Sequence, residues 1–484
     1  MPDERPPSLA WAMWKRFLLG ALAVIVLTAG ATATVALLQV KTISERLFPP
    51  TNRLHFGSEL TGDPGGPETF LIIGSDKRAQ SQAVQDRTSP PHSDTLMLVR
   101  MDPGAGQTSI LSIPRDLKVT IDGPGGPSTQ KINAAYSLGG ARLALRTVKQ
   151  LLHIPVNHVV DINFKGFRDA VDAVGCVYVD VDQHYVHQNL GTAATNYASI
   201  DIQPGYQRLC GSQALDYVRY RHTDSDFVRV ARQQDFIRQF KAQVGVQGLL
   251  DHAATLEKVG GRSIRTDIHG TDGTLRLLKL IAFSLGRPVR QVPFQATAGP
   301  SFVTATPYDI SHTVSDFLNG PQGPRRIPAT TARRRRAPRA GLNLAPAPHP
   351  ARAAVATATS RLPFPVYYPR LVLGAGSQQQ VRRYPIRDEQ GHLHHAYRVV
   401  FSTGLIGSYY GVQGMDWTNP PLLTTPSTRE TVGGRTYELF YDGPRLRWVA
   451  WRTPRAVYWI SNSLVETLSQ RQMLALAESA APLG

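Results

Sequence analysis

Between residues 69 and 181, short apolar runs alternate with stretches of helical spacing, and this alternation constrains the fold more than any other feature of the chain. Strands are predicted at 69–73, 96–101, 108–113, 159–162 and 176–181. Helices are predicted at 139–153, 166–174, 212–220 and 226–244, with a long loop at 182–205. Strands that alternate with helices predict an α/β domain with a central sheet.

Charged side chains adjoin the ends of the predicted strands. Asp76 follows the first strand, Asp94 precedes the second, and Arg115 follows the third. A sheet presents ligands at its edge in this way. Mg²⁺ takes one or two carboxylates from protein and completes its shell with water and phosphate oxygens. Either aspartate alone would more often be a turn or cap residue, but within the whole pattern we assign Asp76 and Asp94 to a metal ion.

Basic side chains accompany these acids, and we assign them to a phosphate-rich substrate. A guanidinium is planar and always charged, and it binds phosphate bidentately. The alternative, surface arginines in weak ion pairs, suits one arginine better than a cluster without matching acids. The assigned basic residues are Arg115, Lys131, Arg219, Arg221, Arg229 and Arg232, and the amide of Gln233 is assigned with them. Lys131 could instead anchor a loop, and Arg232 could instead pair with Asp226.

Two aspartates in the same region have several open roles. Asp116 could orient the Arg115 guanidinium or cap a turn. Asp226 could pair with Arg229 at three-residue helical spacing, cap its helix, or assist deprotonation of an acceptor hydroxyl, and its position alone favours capping. Arg115, Asp226 and Arg229 are the candidate catalytic residues.

An apolar run without a charge occupies residues 17–38, which is about the 20 residues that span a bilayer. We predict a transmembrane helix there, after a cytoplasmic tail (1–16) and before a stalk (39–68), with the bulk of the chain outside the cell. A cleaved signal peptide is the alternative. Export would permit a disulfide between Cys176 and Cys210; two separate buried thiols are the other reading.

The second half divides by composition. We expect a helical extension at 246–320, a linker rich in Pro, Ala and Arg at 321–360, and a small α+β domain at 361–484 that closes with a helix at 463–480. No catalytic pattern appears in that last domain. The formal charge is +17, but much of it falls in the linker. Because no recognition motif accompanies the basic run, nucleic-acid binding is a poor interpretation.

The order and spacing of the motifs resemble the LytR–CpsA–Psr (LCP) family over residues 69–240 and the anchor ahead of them. The motifs are Gly74-Ser75-Asp76, Ser93-Asp94-Thr95, Ile113-Pro114-Arg115-Asp116, Lys131-Ile132-Asn133, Arg219-Tyr220-Arg221, and Asp226 and Arg229 with Arg232-Gln233-Gln234. One position departs from the family pattern, because His92 stands where members usually have arginine, and Arg87 is the alternative source of that arginine. The C-terminal domain resembles the extra domain of some actinobacterial members.

The resemblance implies an α/β/α sandwich with a central mixed sheet and an apolar pocket for a lipid tail. It implies a membrane-anchored, extracytoplasmic, Mg²⁺-dependent phosphotransferase. Such an enzyme moves a glycopolymer from a polyprenyl-pyrophosphate carrier to peptidoglycan, forming a phosphodiester. A non-catalytic module that binds pyrophosphate lipids or anionic polymer and regulates wall assembly is an alternative, although it would need no pair of acids. A hydrolase with water as acceptor would use the same site.

Overall fold

The computed structural model describes residues 45, 49–62, 65–75, 91–188, 199–220, 226–252, 255–256, 258–259, 263–285, 289–320 and 342–483. The predicted transmembrane helix and three predicted site residues, Asp76, Arg87 and Arg221, lie outside these residues. Within the described residues, no helix combines the length and the apolar character needed to cross a bilayer.

The helices are α1 Ala134–Leu152, α2 Phe164–Ala173, α3 Gly211–Arg219, α4 Asp226–Asp251, α5 Gly270–Leu285, α6 Pro307–Asn319, α7 His349–Thr359 and α8 Gln470–Ser479. The strands before residue 320 are β1 Glu68–Ser75, β2 Ser93–Asp102, β3 Gln107–Ile113, β4 Lys118–Gly123, β5 Gly126–Lys131, β6 His158–Asn163, β7 Val177–Val181, β8 Tyr185–His187, β9 Ile200–Ile202, β10 Gly205–Leu209, β11 Ile264–Thr266, β12 Val289–Val292, β13 Thr297–Ala298 and β14 Val303–Thr304. The later strands are β15 Leu344–Pro346, β16 Tyr367–Pro369, β17 Leu371–Leu373, β18 Gln378–Arg387, β19 Leu393–Ser402, β20 Tyr409–Met415, β21 Thr428–Val432, β22 Arg435–Asp442, β23 Arg445–Arg452, β24 Val457–Ser461 and β25 Ala480–Pro482.

A mixed sheet forms the centre of the first part of the chain, as predicted. Among the described residues it has six strands in the order β11-β6-β1-β2-β3-β12. β1 pairs parallel with β6 and β3 pairs parallel with β12, while the other neighbours are antiparallel. The chain is therefore an α/β protein in which β1 and β3 end beside the start of β2.

Helices cover both faces of the central sheet. Side chains alternate between the two faces of a strand, so Leu71 and Ile73 pack with α1 residues such as Leu145 in one core. Phe70 faces the other side and packs with Leu280 of α5. Each fully buried aliphatic side chain of this kind contributes about 1.5–3 kcal/mol. The two apolar faces therefore hold the layers together.

Three predicted boundaries before residue 320 need correction. The stalk at 39–68 is not separate from the domain over its second part, because Phe56 is buried in the core and Leu54 N donates to Thr266 O at 2.9 Å. The extension at 246–320 is not only helical, because β11 and β12 are the edge strands of the central sheet. These strands have three and four residues, too few for an apolar period to stand out. The loop predicted at 182–205 contains β8 and β9.

Two boundaries after residue 320 also differ from the prediction. The linker predicted at 321–360 contains α7, which buries Val355 in the C-terminal core. Alanine is the best helix former and proline suits the first helical turn, so this composition supports a helix as well as a linker. The last helix begins at Gln470 rather than at 463, because Asn462 Nδ2 donates to Leu446 O and Leu468 O at 2.9 Å and holds the intervening turn.

Residues 342–483 contain an antiparallel sheet of seven strands in the order β18-β19-β20-β24-β23-β22-β21, which we call the C-terminal sheet. One face packs on α7 and α8 around Trp451 and Met473. Residues of its other face, including Trp448 and Trp459, pack against Tyr178 of β7 and Tyr206 of β10. The C-terminal sheet therefore shares a core with the first part of the chain.

Cys176 and Cys210 form a disulfide, with their Cα atoms 4.4 Å apart. Cys176 directly precedes β7, and Cys210 is the N-cap of α3. The bond closes a loop over a sequence separation of 34 residues, and such a crosslink typically stabilises a fold by about 2–4 kcal/mol. It therefore ties the start of β7 to the helix that carries Arg219.

Candidate active site

Asp94 and Arg115 form an ion pair where β2 begins and β3 has just ended. The antiparallel register places Leu96 opposite Ile113, which brings these two strand ends together. Arg115 NH1 donates to Asp94 Oδ1 at 2.8 Å. The Arg115 side chain is 15% exposed. The pair therefore places a guanidinium, directed by a carboxylate, at the edge of the sheet.

Arg115 lies in the turn between β3 and β4, which we call the Arg115 turn. The β4–β5 hairpin returns to this turn and adds a further charge. Lys131, the last residue of β5, places Nζ 3.1 Å from Asp116 Oδ1, while Arg115 Nε lies 3.8 Å from the same oxygen. Asn133 N donates to Arg115 O at 3.2 Å. Asp116 therefore contacts both cations, which fits an orienting role. Lys131 adds a second cation at this edge of the sheet and, through Asp116, holds the hairpin against the turn that contains Arg115.

An apolar cavity of about 320 Å³ lies between the central sheet and helices α2, α3 and α4. Its lining is mostly aliphatic and aromatic, with side chains such as Ile72, Met97 and Phe236. Asp94, Arg219 and Gln233 also line it, so a negative, a positive and an amide side chain meet an apolar space. Of the predicted site residues, the structure brings these three to one cavity, and Arg115 joins them through Asp94.

Arg219 and Gln233 are positioned by contacts between helices. Arg219 ends α3, and its guanidinium lies 4.1 Å from the centre of the Phe164 ring. A cation over an aromatic face gains about 0.5–2 kcal/mol, and the flat contact also fixes the direction of the guanidinium. Gln233 Nε2 donates to Val218 O at 3.1 Å, which links α4 to α3.

Two further arginines of α4 differ in their surroundings. Arg229 is buried and lies one helical turn before Gln233, so the two share a face of α4. Arg232 is 0% exposed, and its NH1 donates to Tyr217 O at 3.1 Å and to Tyr220 O at 2.8 Å. Its guanidinium lies 4.3 Å from the centre of the Tyr185 ring. The substrate-binding role predicted for Arg232 is therefore wrong: this side chain stabilises the core behind the site.

Asp226 begins α4, but the position of its side chain is not described. Its three possible roles stay predictions. The same holds for the metal role of Asp76 and the phosphate roles of Arg87 and Arg221. His92 precedes β2 and is exposed.

The residues present suit a magnesium ion in part. Asp94 offers one carboxylate beside a space where phosphate oxygens would bind, and Mg²⁺ needs only one or two protein carboxylates. Asp76, the other predicted ligand, directly follows the last residue of β1. Within the described residues, one group of three has potential ligand atoms close together: Asp172, Cys176 and Cys210. Its sulfur atoms are joined to each other, so they are not thiolates that could bind a metal.

A buried network that was not predicted from the sequence supports the end of β1. Asp161 of β6 accepts hydrogen bonds from Ser75 Oγ at 3.2 Å, Tyr136 OH at 2.8 Å and Arg265. Burial, together with the nearby Asp161 carboxylate, raises the pKa of Tyr136 to about 12, so its hydroxyl stays a donor. The network fixes Ser75, the residue before Asp76. Its signal in the sequence was a carboxylate inside an apolar strand.

The C-terminal sheet also contacts α4 directly. Arg447 of β23 places NH2 3.1 Å from Asp235 Oδ1, and both side chains are buried. Asp235 also accepts from Arg238 NH2 at 3.0 Å, and Arg238 NH1 donates to Asp442 of β22 at 2.5 Å. The helix that carries Arg229 and Gln233 is therefore fixed by charges from more than 200 residues away.

A second buried carboxylate, Asp180 of β7, is held by three donors from the C-terminal sheet. Arg398 NH1 lies 3.2 Å from Oδ1, while Trp448 Nε1 and Trp459 Nε1 lie 3.2 and 3.3 Å from Oδ2. A buried charge is tolerated when it is paired and fully hydrogen-bonded. These contacts make the C-terminal sheet part of the same folded structure as the site.

Comparison with known proteins finds relatives of this chain. Residues 40–295, just over half of the chain, match the model of the LytR_cpsA_psr family. The polyisoprenyl-teichoic acid–peptidoglycan teichoic acid transferase TagU of Bacillus anthracis is 28% identical over 247 residues, which cover 51% of this chain and 73% of the relative. TagU of Halalkalibacterium halodurans is 34% identical over 205 residues, which cover 42% of this chain and 61% of the relative.

Solved structures match about half of the chain. A crystal structure of B. subtilis TagV is 25% identical, with a TM-score of 0.41, over 52% of this chain and 96% of TagV. A structure of TagT bound to LI-WTA is 26% identical, with a TM-score of 0.41, over 54% of this chain and 93% of TagT. On the strength of the family match over residues 40–295, this chain belongs to the LytR–CpsA–Psr family of cell-wall glycopolymer transferases.

Proposed function

We propose that this protein is a membrane-anchored, extracytoplasmic phosphotransferase that moves a glycopolymer from a polyprenyl-pyrophosphate carrier to peptidoglycan. The observation that carries the proposal is the apolar cavity whose lining includes Asp94, Arg219 and Gln233. A prenyl chain needs an apolar space, and each methylene that it buries gains about 0.8 kcal/mol. A pyrophosphate needs guanidiniums next to that space. The TagU relatives are named for a polyisoprenyl-linked donor and a peptidoglycan acceptor.

The reaction balances without a covalent protein intermediate. An acceptor hydroxyl oxygen attacks the phosphorus that bears the glycan, and the bond from that phosphorus to the bridging oxygen breaks. Polyprenyl phosphate leaves with the electron pair, and the hydroxyl proton passes to a base or to solvent. The product is a phosphodiester between glycan and acceptor.

The chain's own residues position the phosphates and offset their charge. Asp94 fixes the direction of Arg115, and the Phe164 ring fixes that of Arg219. Fixed guanidiniums stabilise charge on the transferring phosphoryl group, which is the main task in this chemistry. Asp94 and Asp76 would hold Mg²⁺, which when bound would neutralise further phosphate charge.

The proposed location rests on two features. The charge-free run at 17–38 is long enough to anchor the chain in a bilayer, beside a lipid-linked donor. The disulfide between Cys176 and Cys210 is typical of oxidising compartments outside the cytosol.

Transfer by the full-length protein in detergent tests the proposal. We expect it to move glycan from a short-chain polyprenyl-pyrophosphate donor to a peptidoglycan acceptor with Mg²⁺, and to stop with EDTA. Asp94→Asn and Arg115→Ala should each lower transfer about 10²- to 10³-fold, since each removes fixed charge or its orientation. Arg429→Ala is the matched control, because Arg429 lies on β21 of the C-terminal sheet and is 61% exposed.

Other outcomes would contradict the proposal in distinct ways. Release of polyprenyl phosphate without transfer, across several acceptors, would indicate a hydrolase. Donor binding without turnover, unchanged by EDTA, would indicate a binding module.

A further inference from the structure

A second cavity, of about 510 Å³, lies between the first part of the chain and the C-terminal sheet; we call it the interface cavity. The first part contributes Pro114, which follows β3, and Phe227 of α4. The C-terminal part contributes the turn between β22 and β23 and the segment after β24 that includes Glu466. The cavity therefore exists only when both parts of the chain are present.

The interface cavity and the apolar cavity meet different faces of α4. Gln233 and Phe236 line the apolar cavity, whereas Phe227 and Ala231 line the interface cavity. At 100° per residue, the mean directions of all the α4 side chains that line the two cavities lie roughly 120° apart around the helix axis. Pro114 of the interface cavity directly precedes Arg115, whose partner Asp94 lines the apolar cavity. Both cavities therefore adjoin the Arg115 turn, from different sides.

Three buried polar atoms of side chains that line the interface cavity have no hydrogen-bond partner among the described residues. One is Arg290 Nε, on a guanidinium that is already held through NH1 and NH2. The other two are Glu466 Oε1 and Gln291 Nε2, an acceptor and a donor. A buried polar group without a partner costs about 1–3 kcal/mol. Glu466 also has a left-handed backbone, with φ of 54°, which is uncommon for a residue other than glycine. A hydroxyl group could satisfy both atoms, since it donates and accepts.

The charged lining groups balance one another, because Arg290 and Arg445 accompany Asp316 and Asp442, which favours an uncharged ligand. The Arg290 guanidinium is already held by Asp316 O at 2.6 Å and Ser109 Oγ at 2.7 Å. Most of the lining is apolar, with Pro114, Phe227, Phe294 and Leu464 among it. The Asp442 carboxylate is already engaged by Arg238 at 2.5 Å. Burial and then the Asp442 charge raise the pKa of Glu466 to about 7, so its carboxyl is largely without charge below neutral pH. An apolar surface with a few convergent polar groups is typical of a site for a specific small ligand.

We propose that the interface cavity is the acceptor site, where an uncharged, hydroxyl-rich saccharide ring of peptidoglycan binds beside the Arg115 turn. This inference rests on the proposed transferase function. The ring would lay its C–H face on the apolar side chains and direct hydroxyls to Glu466 and Gln291. The attacking and leaving oxygens lie roughly in line in phosphoryl transfer. An acceptor bound in the interface cavity would approach the phosphorus from a different side than the lipid does. This geometry favours the acceptor, rather than the donor glycan, as the occupant of the cavity.

Acceptor kinetics of the full-length protein test the site. With a soluble peptidoglycan oligosaccharide as acceptor, Glu466→Ala and Gln291→Ala should each raise the acceptor KM about tenfold, while the donor KM changes less than twofold. Glu466→Gln should restore most of the acceptor affinity, because an amide still hydrogen-bonds to hydroxyls. Glu430→Ala, at an exposed position of β21, is the matched control. Thermal unfolding of every variant separates a loss of fold from a loss of binding.

Direct binding separates this inference from the proposed function. Calorimetry should detect the oligosaccharide on the native chain and not on Glu466→Ala, even if no glycan is transferred under any condition. An unchanged acceptor KM in both alanine variants would overturn the assignment. So would a change in donor KM alone, which would place the donor glycan here. Equal losses in Glu466→Gln and Glu466→Ala would also overturn it, since they would indicate a cationic group.

Discussion

Arg115 and Arg219 use different means to hold a guanidinium still. Arg115 is directed by the carboxylate of Asp94, and Arg219 by the face of the Phe164 ring. The first contact pairs the cation with an anion, whereas the second is made with an uncharged ring. An aromatic ring therefore fixes the direction of a guanidinium without itself adding a negative charge beside it.

Stability should depend on pH through Glu466. Its pKa is raised to about 7 in the folded chain from an ordinary value near 4.5. The protonated form is favoured by folding, so the contribution of Glu466 to stability is complete below about pH 4.5 and is lost as pH rises through 7. Glu466→Gln removes this loss. We therefore expect the unfolding temperature of the variant minus that of the native chain to be larger at pH 8 than at pH 5. Calorimetry at the two pH values measures this difference. A constant difference between the two pH values would contradict it.

Among the elements, α4 contacts both cavities and the C-terminal sheet. It lines both cavities and carries Arg229 and Gln233, and its Asp235 binds Arg447 of β23. The helix therefore receives its position from the C-terminal sheet as well as from the central sheet.

Removing one partner of the Arg447–Asp235 pair should be costly. Arg447→Met leaves the Asp235 carboxylate buried with one cation fewer, and breaking a buried pair costs about 3–5 kcal/mol. Denaturant unfolding of the full-length chain measures this change. Arg429→Met is the control, since its exposed pair with Glu438 should contribute under about 1 kcal/mol. Equal effects of the two substitutions would show that the buried pair does not fix α4.

The sequence allowed some elements to be predicted and hid others for physical reasons. The apolar runs of β1, β2, β3 and β6 were long enough to be seen, and the helix predicted at 212–220 lies within one residue of α3. β11 and β12 are too short to show a period, and their place depends on pairing with β6 and β3.

The candidate site was predictable where the chain itself brings residues together. Asp94 and Arg115 meet because β2 and β3 are adjacent antiparallel strands, so their contact follows from local order. The roles of Phe164, Asp161 and Glu466 depend on contacts between distant segments, which no local pattern encodes. Arg232 shared the spacing of the site arginines but points into a cluster of tyrosines.

At the scale of the whole molecule, the two sheets form one structure. Asp180 of β7 has three donors from the C-terminal sheet, and Tyr178 and Tyr206 are buried against it. Apolar and charged surface of this kind would be exposed together if the C-terminal residues were absent. The shared core therefore argues against a freely moving appendage.

A chain that ends at residue 320 should consequently fold poorly. Loss of residues 321–484 exposes Tyr178 and Tyr206 and leaves Asp180 and Asp235 without their C-terminal donors. We expect the truncated chain to have a lower unfolding temperature, measured by calorimetry, and to aggregate, measured by light scattering. A full-length chain with Arg398→Met tests one contact of the same surface without truncation. A truncated chain that unfolds at the native temperature would contradict this account.

The position of α4 between the two cavities has a thermodynamic consequence. A ligand that moves the helix to enlarge one cavity must also alter the shape of the other. Occupancy of one cavity then changes the affinity of the other, and linkage requires the effect to be the same in both directions. If a bound lipid strengthens saccharide binding by some factor, a bound saccharide strengthens lipid binding by that factor. The shared helix would thus impose cooperativity between two ligands that need not touch.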